Sequence, residues 1–167
     1  MNKKMIILSV SFVLLVCIVL FGQCRTDHFS KQKNIHAPDF SLKDIQGYTF
    51  DLSSQRGNPV VIFFGTTWCP ICRREIPLYK TLYDKYAQRG LKFIYIDMGE
   101  STERVARYAN QSSFPGLVLL DLDGRVASDY DIVGVPTLFL VDKEGKIISE
   151  SHQISDLPLD ELSPAKK

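Results

Sequence analysis

Residues 59–77 read PVVIFFGTTWCPICRREIP, and this stretch decides the fold. Residues 59–64 form a continuous apolar, β-branched run closed by Gly65, the pattern of a strand buried on both faces. Over residues 70–88 apolar side chains recur at Ile71, Ile76, Tyr79, Leu82, Tyr83 and Tyr86, a helical period that Gly90 ends. At the handover stands Trp68-Cys69-Pro70-Ile71-Cys72. Cys69 therefore falls at a helix N-terminus, where unpaired N–H groups and the positive end of the dipole stabilise a thiolate. Two intervening residues make one helical turn, which brings both sulfurs within bonding range. Cys69 is expected to be the exposed nucleophile and Cys72, one turn in, the buried resolving thiol.

Outward from this core, residues 39–43 and 48–52 alternate apolar and polar around Gly47, which predicts a hairpin. Residues 91–97 and 116–121 read as further strands, with a helix over 103–110 capped by Ser101 or Thr102. Residues 137–141 and 146–149 flank the turn Asp142-Lys143-Glu144-Gly145, a second hairpin. Strand–helix–strand units closed by a hairpin predict an α/β domain: a central mixed sheet with helices on both faces. Pro136 precedes a buried strand, so it belongs at the strand's first residue or in a turn.

The 167 residues are about one domain's worth. Twenty Lys and Arg against nineteen Asp and Glu leave a net charge of +1, without the basic excess of a nucleic-acid binder. Apolar residues at 45% and charged ones at 23% exclude a disordered chain, and four cysteines are too few for a disulfide-stapled scaffold.

The N-terminus differs from the rest. Lys3 and Lys4 precede an uncharged run over residues 5–22, broken only by Ser9 and Ser11. As a helix it would span roughly 27 Å, close to the hydrocarbon core of a bilayer, and it has no polar face. The two lysines favour a cytoplasmic N-terminus, which sends the remainder across the membrane. Cys17 reads as a small apolar residue inside the run. No small-x-small cleavage site follows. Cys24 resembles a lipoprotein acceptor cysteine, although Gln23 departs from the small residue usual before it. An uncleaved signal anchor, a lipid on Cys24 and a cleaved form therefore remain open. The expected organisation is a signal segment over 1–23, a tether over 24–36, the folded domain over 37–150 and a polar tail over 151–167 holding at most one short helix around 156–162.

The dithiol has a competing metal reading. Structural zinc needs four ligands, whereas no second Cys-x-x-Cys exists and His28, His36 and His152 are scattered. A copper module of similar fold would want a third ligand, for which His152 is the one downstream candidate. No metal and no cofactor is therefore expected.

Two stretches carry a family resemblance: PDFSLKDIQGYTFDLSSQRGNPVVIFFGTTWCPICRREIP at 38–77 and FPGLVLLDLDGRVASDYDIVGVPTLFLVDKEGKI at 114–147. The chain resembles the membrane-tethered thioredoxin-like thiol–disulfide oxidoreductases of the TlpA, ResA and CcmG group. That resemblance implies a thioredoxin fold with an N-terminal β-hairpin extension. It implies a cis Pro136 facing the dithiol, Val135 offering backbone hydrogen bonds to an extended substrate, and Trp68 bordering the redox site. Pro77 matches the proline that kinks the family's active-site helix. Glu75, three residues after Cys72 on one helical face, resembles the group's acid–base residue, placed to take the proton of Cys72. An exposed Glu75 pairing with Arg73 or Arg74 is the alternative. Thioredoxin itself has a buried aspartate six residues before the nucleophile; Phe63 stands there instead.

The implied function is reduction of disulfides in exported proteins, with the haem-attachment cysteines of apocytochrome c as substrate by analogy and a membrane electron donor as partner. A monomer is expected, on the outer, periplasmic or extracellular side of the membrane. The order Cys-Pro-x-Cys resembles the cytochrome c maturation branch but also occurs in strongly oxidising relatives, so an oxidase or isomerase remains open. A peroxiredoxin-type peroxidase would use Thr66 but lacks its proline, since Ile62 holds that position.

Overall fold

The computed structural model describes residues 35–162. The apolar run, Cys17, Cys24 and nearly all of the tether lie outside these residues. Among the described residues no helix is long and apolar enough to cross a membrane.

Eight strands form one mixed sheet: β1 (Ile35–His36), β2 (Ser41–Asp44), β3 (Thr49–Asp51), β4 (Val60–Gly65), β5 (Lys92–Met98), β6 (Leu117–Asp121), β7 (Thr137–Val141) and β8 (Lys146–Ser151). Their order is β1-β8-β7-β4-β5-β6-β2-β3. β4, β5 and β6 run parallel, and every other pairing is antiparallel. β4 lies near the middle with all six residues buried, as its unbroken apolar run requires. Its side chains alternate between two cores: Val61 and Phe63 face one, Val60, Ile62 and Phe64 the other.

The first core is covered by α1 (Pro70–Tyr86) and α2 (Thr102–Ser112). The second is covered by α3 (Arg125–Asp129) and by the N-terminal segment through Ala37, Phe40 and Leu52. Ser101 caps α2, accepting from the Arg104 amide. The expected hairpin appears as β2 and β3, with Gly47 at φ +91° in its turn.

Three parts of the chain differ from their sequence reading. Residues 35–36, expected in the tether, form β1 by pairing Ile35 with Ile147 on the edge of β8. α3 was not expected, because five residues are too few to display a helical period. It forms because both Asp121 oxygens accept the amides of Val126 and Ala127, at 3.2 and 2.8 Å. Beyond Glu150 the chain turns through a 3-10 segment (Ile154–Asp156) into α4 (Leu159–Leu162), the short helix expected there, but Ile154, Leu157 and Leu159 are buried in the first core where a polar tail was expected.

Candidate redox site

α1 begins where β4 ends. Cys69 is its N-cap, with extended backbone, and Pro70 occupies the first turn, where a missing N–H costs nothing. Cys69 Sγ accepts the Cys72 amide at 3.1 Å, which satisfies one of the unpaired donors of the helix start. The two sulfurs are joined as a disulfide with Cα atoms 5.3 Å apart. Pro77 lies inside α1, and its ring nitrogen cannot serve the carbonyl of Arg73.

The sequence places Cys69 in the open. In this oxidised form it is only 4% exposed, against 1% for Cys72. The cover comes from the far end of the chain: the Val135 carbonyl oxygen lies 3.8 Å from Cys69 Sγ. The Val135–Pro136 peptide is cis, and Pro136 leads directly into β7, where Thr137 pairs with Phe64 of β4. Trp68 stands beside the disulfide with 57% of its surface exposed. It borders a cleft of about 210 Å³ shared with Thr67, Arg73, Arg104, Arg107 and Tyr108.

Glu75 is half-buried, and its Oε2 accepts the Ile154 amide at 2.9 Å. Neither Arg73 nor Arg74 forms an ion pair with it. His152 Nδ1 lies 2.8 Å from the Pro136 carbonyl oxygen. The stretch 152–154 thus ties the active-site helix to the cis-proline loop, a relation that 79 residues of separation hide from the sequence. Among the described residues no three His, Cys, Asp or Glu side chains gather as a metal site.

Beneath the loop 65–68 lies a second polar group that the sequence reading missed. Glu100 Oε1 accepts the Thr67 amide at 2.6 Å, and Oε2 accepts the Thr67 hydroxyl at 2.7 Å. Arg104 Nε reaches the same Oε2 at 2.7 Å. Asp97, 1% exposed, has its carboxyl group pushed up to about 8 by burial first and by the adjacent Glu100 second. The one available signal was a carboxylate one residue before the end of the strand KFIYIDM, after four apolar residues.

A mixed sheet whose central parallel strand delivers a Cys-x-x-Cys pair to a helix N-terminus, opposite a cis proline, defines a thioredoxin-like protein that exchanges thiols and disulfides. Residues 34–150 match the AhpC/TSA family. Thiol-disulfide oxidoreductase ResA of Bacillus thuringiensis is 30% identical over 154 residues, covering 90% of this chain and 89% of that protein. ResA of Bacillus subtilis is 31% identical over 153 residues, covering 89% and 86%. Among solved structures, a thiol:disulfide interchange protein from Chlorobium tepidum superposes with a TM-score of 0.62 at 30% identity, covering 71% of this chain and 85% of that one. The thioredoxin domain of a thiol-disulfide oxidoreductase from Bacteroides vulgatus gives a TM-score of 0.70 at 26% identity, covering 75% and 91%. The chain belongs to the AhpC/TSA family and, within it, to the thiol–disulfide oxidoreductases of the TlpA/ResA/CcmG group.

Proposed function

We propose that this enzyme reduces disulfides of exported proteins, with Cys69 as nucleophile and Cys72 as resolving thiol. The observation that carries the reading is the position of Cys69 Sγ: at the start of α1, facing the Val135 carbonyl across 3.8 Å. The Cys69 thiolate attacks one sulfur of the substrate disulfide, forming a mixed disulfide and expelling the other sulfur as a thiolate. Cys72 then loses its proton and attacks Cys69 Sγ. The second substrate thiolate leaves, and the enzyme holds the Cys69–Cys72 disulfide, oxidised by two electrons. Glu75, three residues after Cys72 on α1, is the group we assign to take that proton. Val135 and Pro136 line the place of the extended substrate segment, and Trp68 forms its other border.

An enzyme that ends each cycle oxidised, outside the cytoplasm, needs a source of electrons, which a membrane donor supplies. The apolar run at 5–22, flanked by Lys3 and Lys4, supports a tether, whether as an uncleaved helix or through a lipid on Cys24. The folded unit, expected over 37–150, takes in residues 35–36 through β1 and the segment to Leu162 through Ile154, Leu157 and Leu159. The Cys-Pro-x-Cys order, shared with the cytochrome c maturation branch, supports apocytochrome c as substrate.

The test is the reduction potential of the full chain in detergent, equilibrated against thiol buffers. A value near or below about −220 mV supports a reductase, whereas one near about −120 mV makes the protein a disulfide donor and removes the apocytochrome reading.

A further inference from the structure

We propose that Asp97 is a positioning residue of the redox site: it carries a proton that it donates to the Glu100 carboxylate, and that proton keeps Glu100 clamped on Thr67, two residues before Cys69. Loss of the proton sets two buried carboxylates against each other and loosens the loop that presents Cys69. This inference rests on the reading of Cys69 as the nucleophile.

The geometry begins with the strand register. Asp97 pairs with Gly65, the last residue of β4, so its strand position lies level with the start of the active-site loop. Alternation along β5 puts Phe93 and Tyr95 in the core that holds both cysteines, and Asp97 follows on the same face. The side chain is buried, and neither carboxylate oxygen meets a donor. The Thr67 amide also lies near Asp97, but its hydrogen bond goes to Glu100 Oε1 at 2.6 Å. The close neighbour is the Glu100 carboxylate, itself 8% exposed. Two carboxylates, both acceptors, bond to each other only when one carries a proton.

The surrounding charges leave that proton in place. From α2, Arg104 faces the pair; it binds Glu100 Oε2 and also donates to the Thr67 hydroxyl at 3.1 Å. One guanidinium offsets one carboxylate. Tyr95 on β5 and Tyr108 on α2 face Asp97 as phenols kept neutral by burial first, so neither brings a positive charge to the pair. Burial and Glu100 both hold Asp97 protonated through neutral pH, with release near pH 8. Glu100 meanwhile fixes Thr67 through both its amide and its hydroxyl, so the carboxyl pair and the Cys69 loop move together.

The experiment uses the oxidised full chain in detergent with Cys17 and Cys24 replaced by Ser in every variant, so that, with Cys69 and Cys72 joined, no thiol titrates. Trp68 is the single tryptophan and adjoins Thr67, so its fluorescence reports the loop. Wild type is expected to show a one-proton step centred near pH 8. Asp97→Asn, which keeps the shape of the protonated acid but cannot titrate, is expected to be flat across the same range. Glu100→Gln removes the neighbouring charge and is expected to lower the midpoint by about one unit or more. A wild type without the step overturns the inference, as does an Asp97→Asn protein that retains it. If Asp97→Asn does not fold, an unmoved midpoint in Glu100→Gln overturns it equally. The titration needs no substrate, so its failure is distinguishable from failure of the reductase reading, which the potential decides.

Discussion

The Glu75 carboxylate accepts the amide proton of Ile154 at 2.9 Å, joining the third residue after Cys72 to a segment that follows the last strand. His152, two residues earlier, reaches the Pro136 carbonyl. A carboxylate assigned to proton transfer is thereby oriented by backbone that a sequence reader would discard as a tail.

Replacing Glu75 separates its two roles. Glu75→Gln is expected to keep an acceptor for the Ile154 amide but to change the pH dependence of disulfide reduction. Glu75→Ala should also release that amide, at a cost of about 1–2 kcal/mol. Stopped-flow reduction across pH and hydrogen exchange at Ile154 measure the two effects; an unchanged pH profile in Glu75→Gln removes the acid–base assignment.

The two cysteines should fail differently. Cys69→Ser is expected to abolish turnover, whereas Cys72→Ser should accumulate mixed disulfides that cannot resolve. Mass spectrometry after a single addition of disulfide substrate distinguishes them, and equal trapping by both variants would contradict the division of labour.

The segment after Glu150 should behave as core. Ile154 is fully buried against the residues beneath α1. Ile154→Ala is expected to cost about 2–5 kcal/mol in denaturant unfolding. A loss below about 0.5 kcal/mol would mean that the segment merely lies on the surface.

Gly65 should not tolerate a side chain. A Cβ there would stand 2.6 Å from the Tyr95 hydroxyl oxygen, and the ring is held by Phe63 and Phe114 at 5.2 and 5.0 Å between centroids. Gly65→Ala is expected to destabilise by about 1–3 kcal/mol, measured by thermal or urea unfolding.

Stability should carry the mark of Asp97. The unfolded carboxyl group releases its proton at 3.8, and the folded one holds it to about 8. Between those values the folded state binds the extra proton, so this contribution is full below the lower value and falls as pH rises to the upper one. The slope is up to about 1.4 kcal/mol per pH unit. Unfolding free energies of wild type minus Asp97→Asn, taken at several pH values, isolate it; a difference that is flat with pH would contradict the shift.

The sequence by itself determined what local chemistry determines. A six-residue apolar run is a buried strand, a 3.6-residue period is a helix, and Cys-x-x-Cys at their junction is a dithiol on a helix start, so β4, α1 and the redox pair were legible. The family resemblance added the cis Pro136. Tertiary structure decided the rest. Cys69 is covered because a loop 66 residues away closes over it, and Glu75 is oriented by Ile154 rather than by a neighbouring arginine. The pairing of β1 with β8 needs an edge that only the finished sheet offers. Asp97 and Glu100 look like ordinary surface charges in the chain. Both are buried because strand register sets Asp97 against Gly65 and the loop folds Glu100 back onto Thr67, 33 residues earlier, a separation no periodicity encodes.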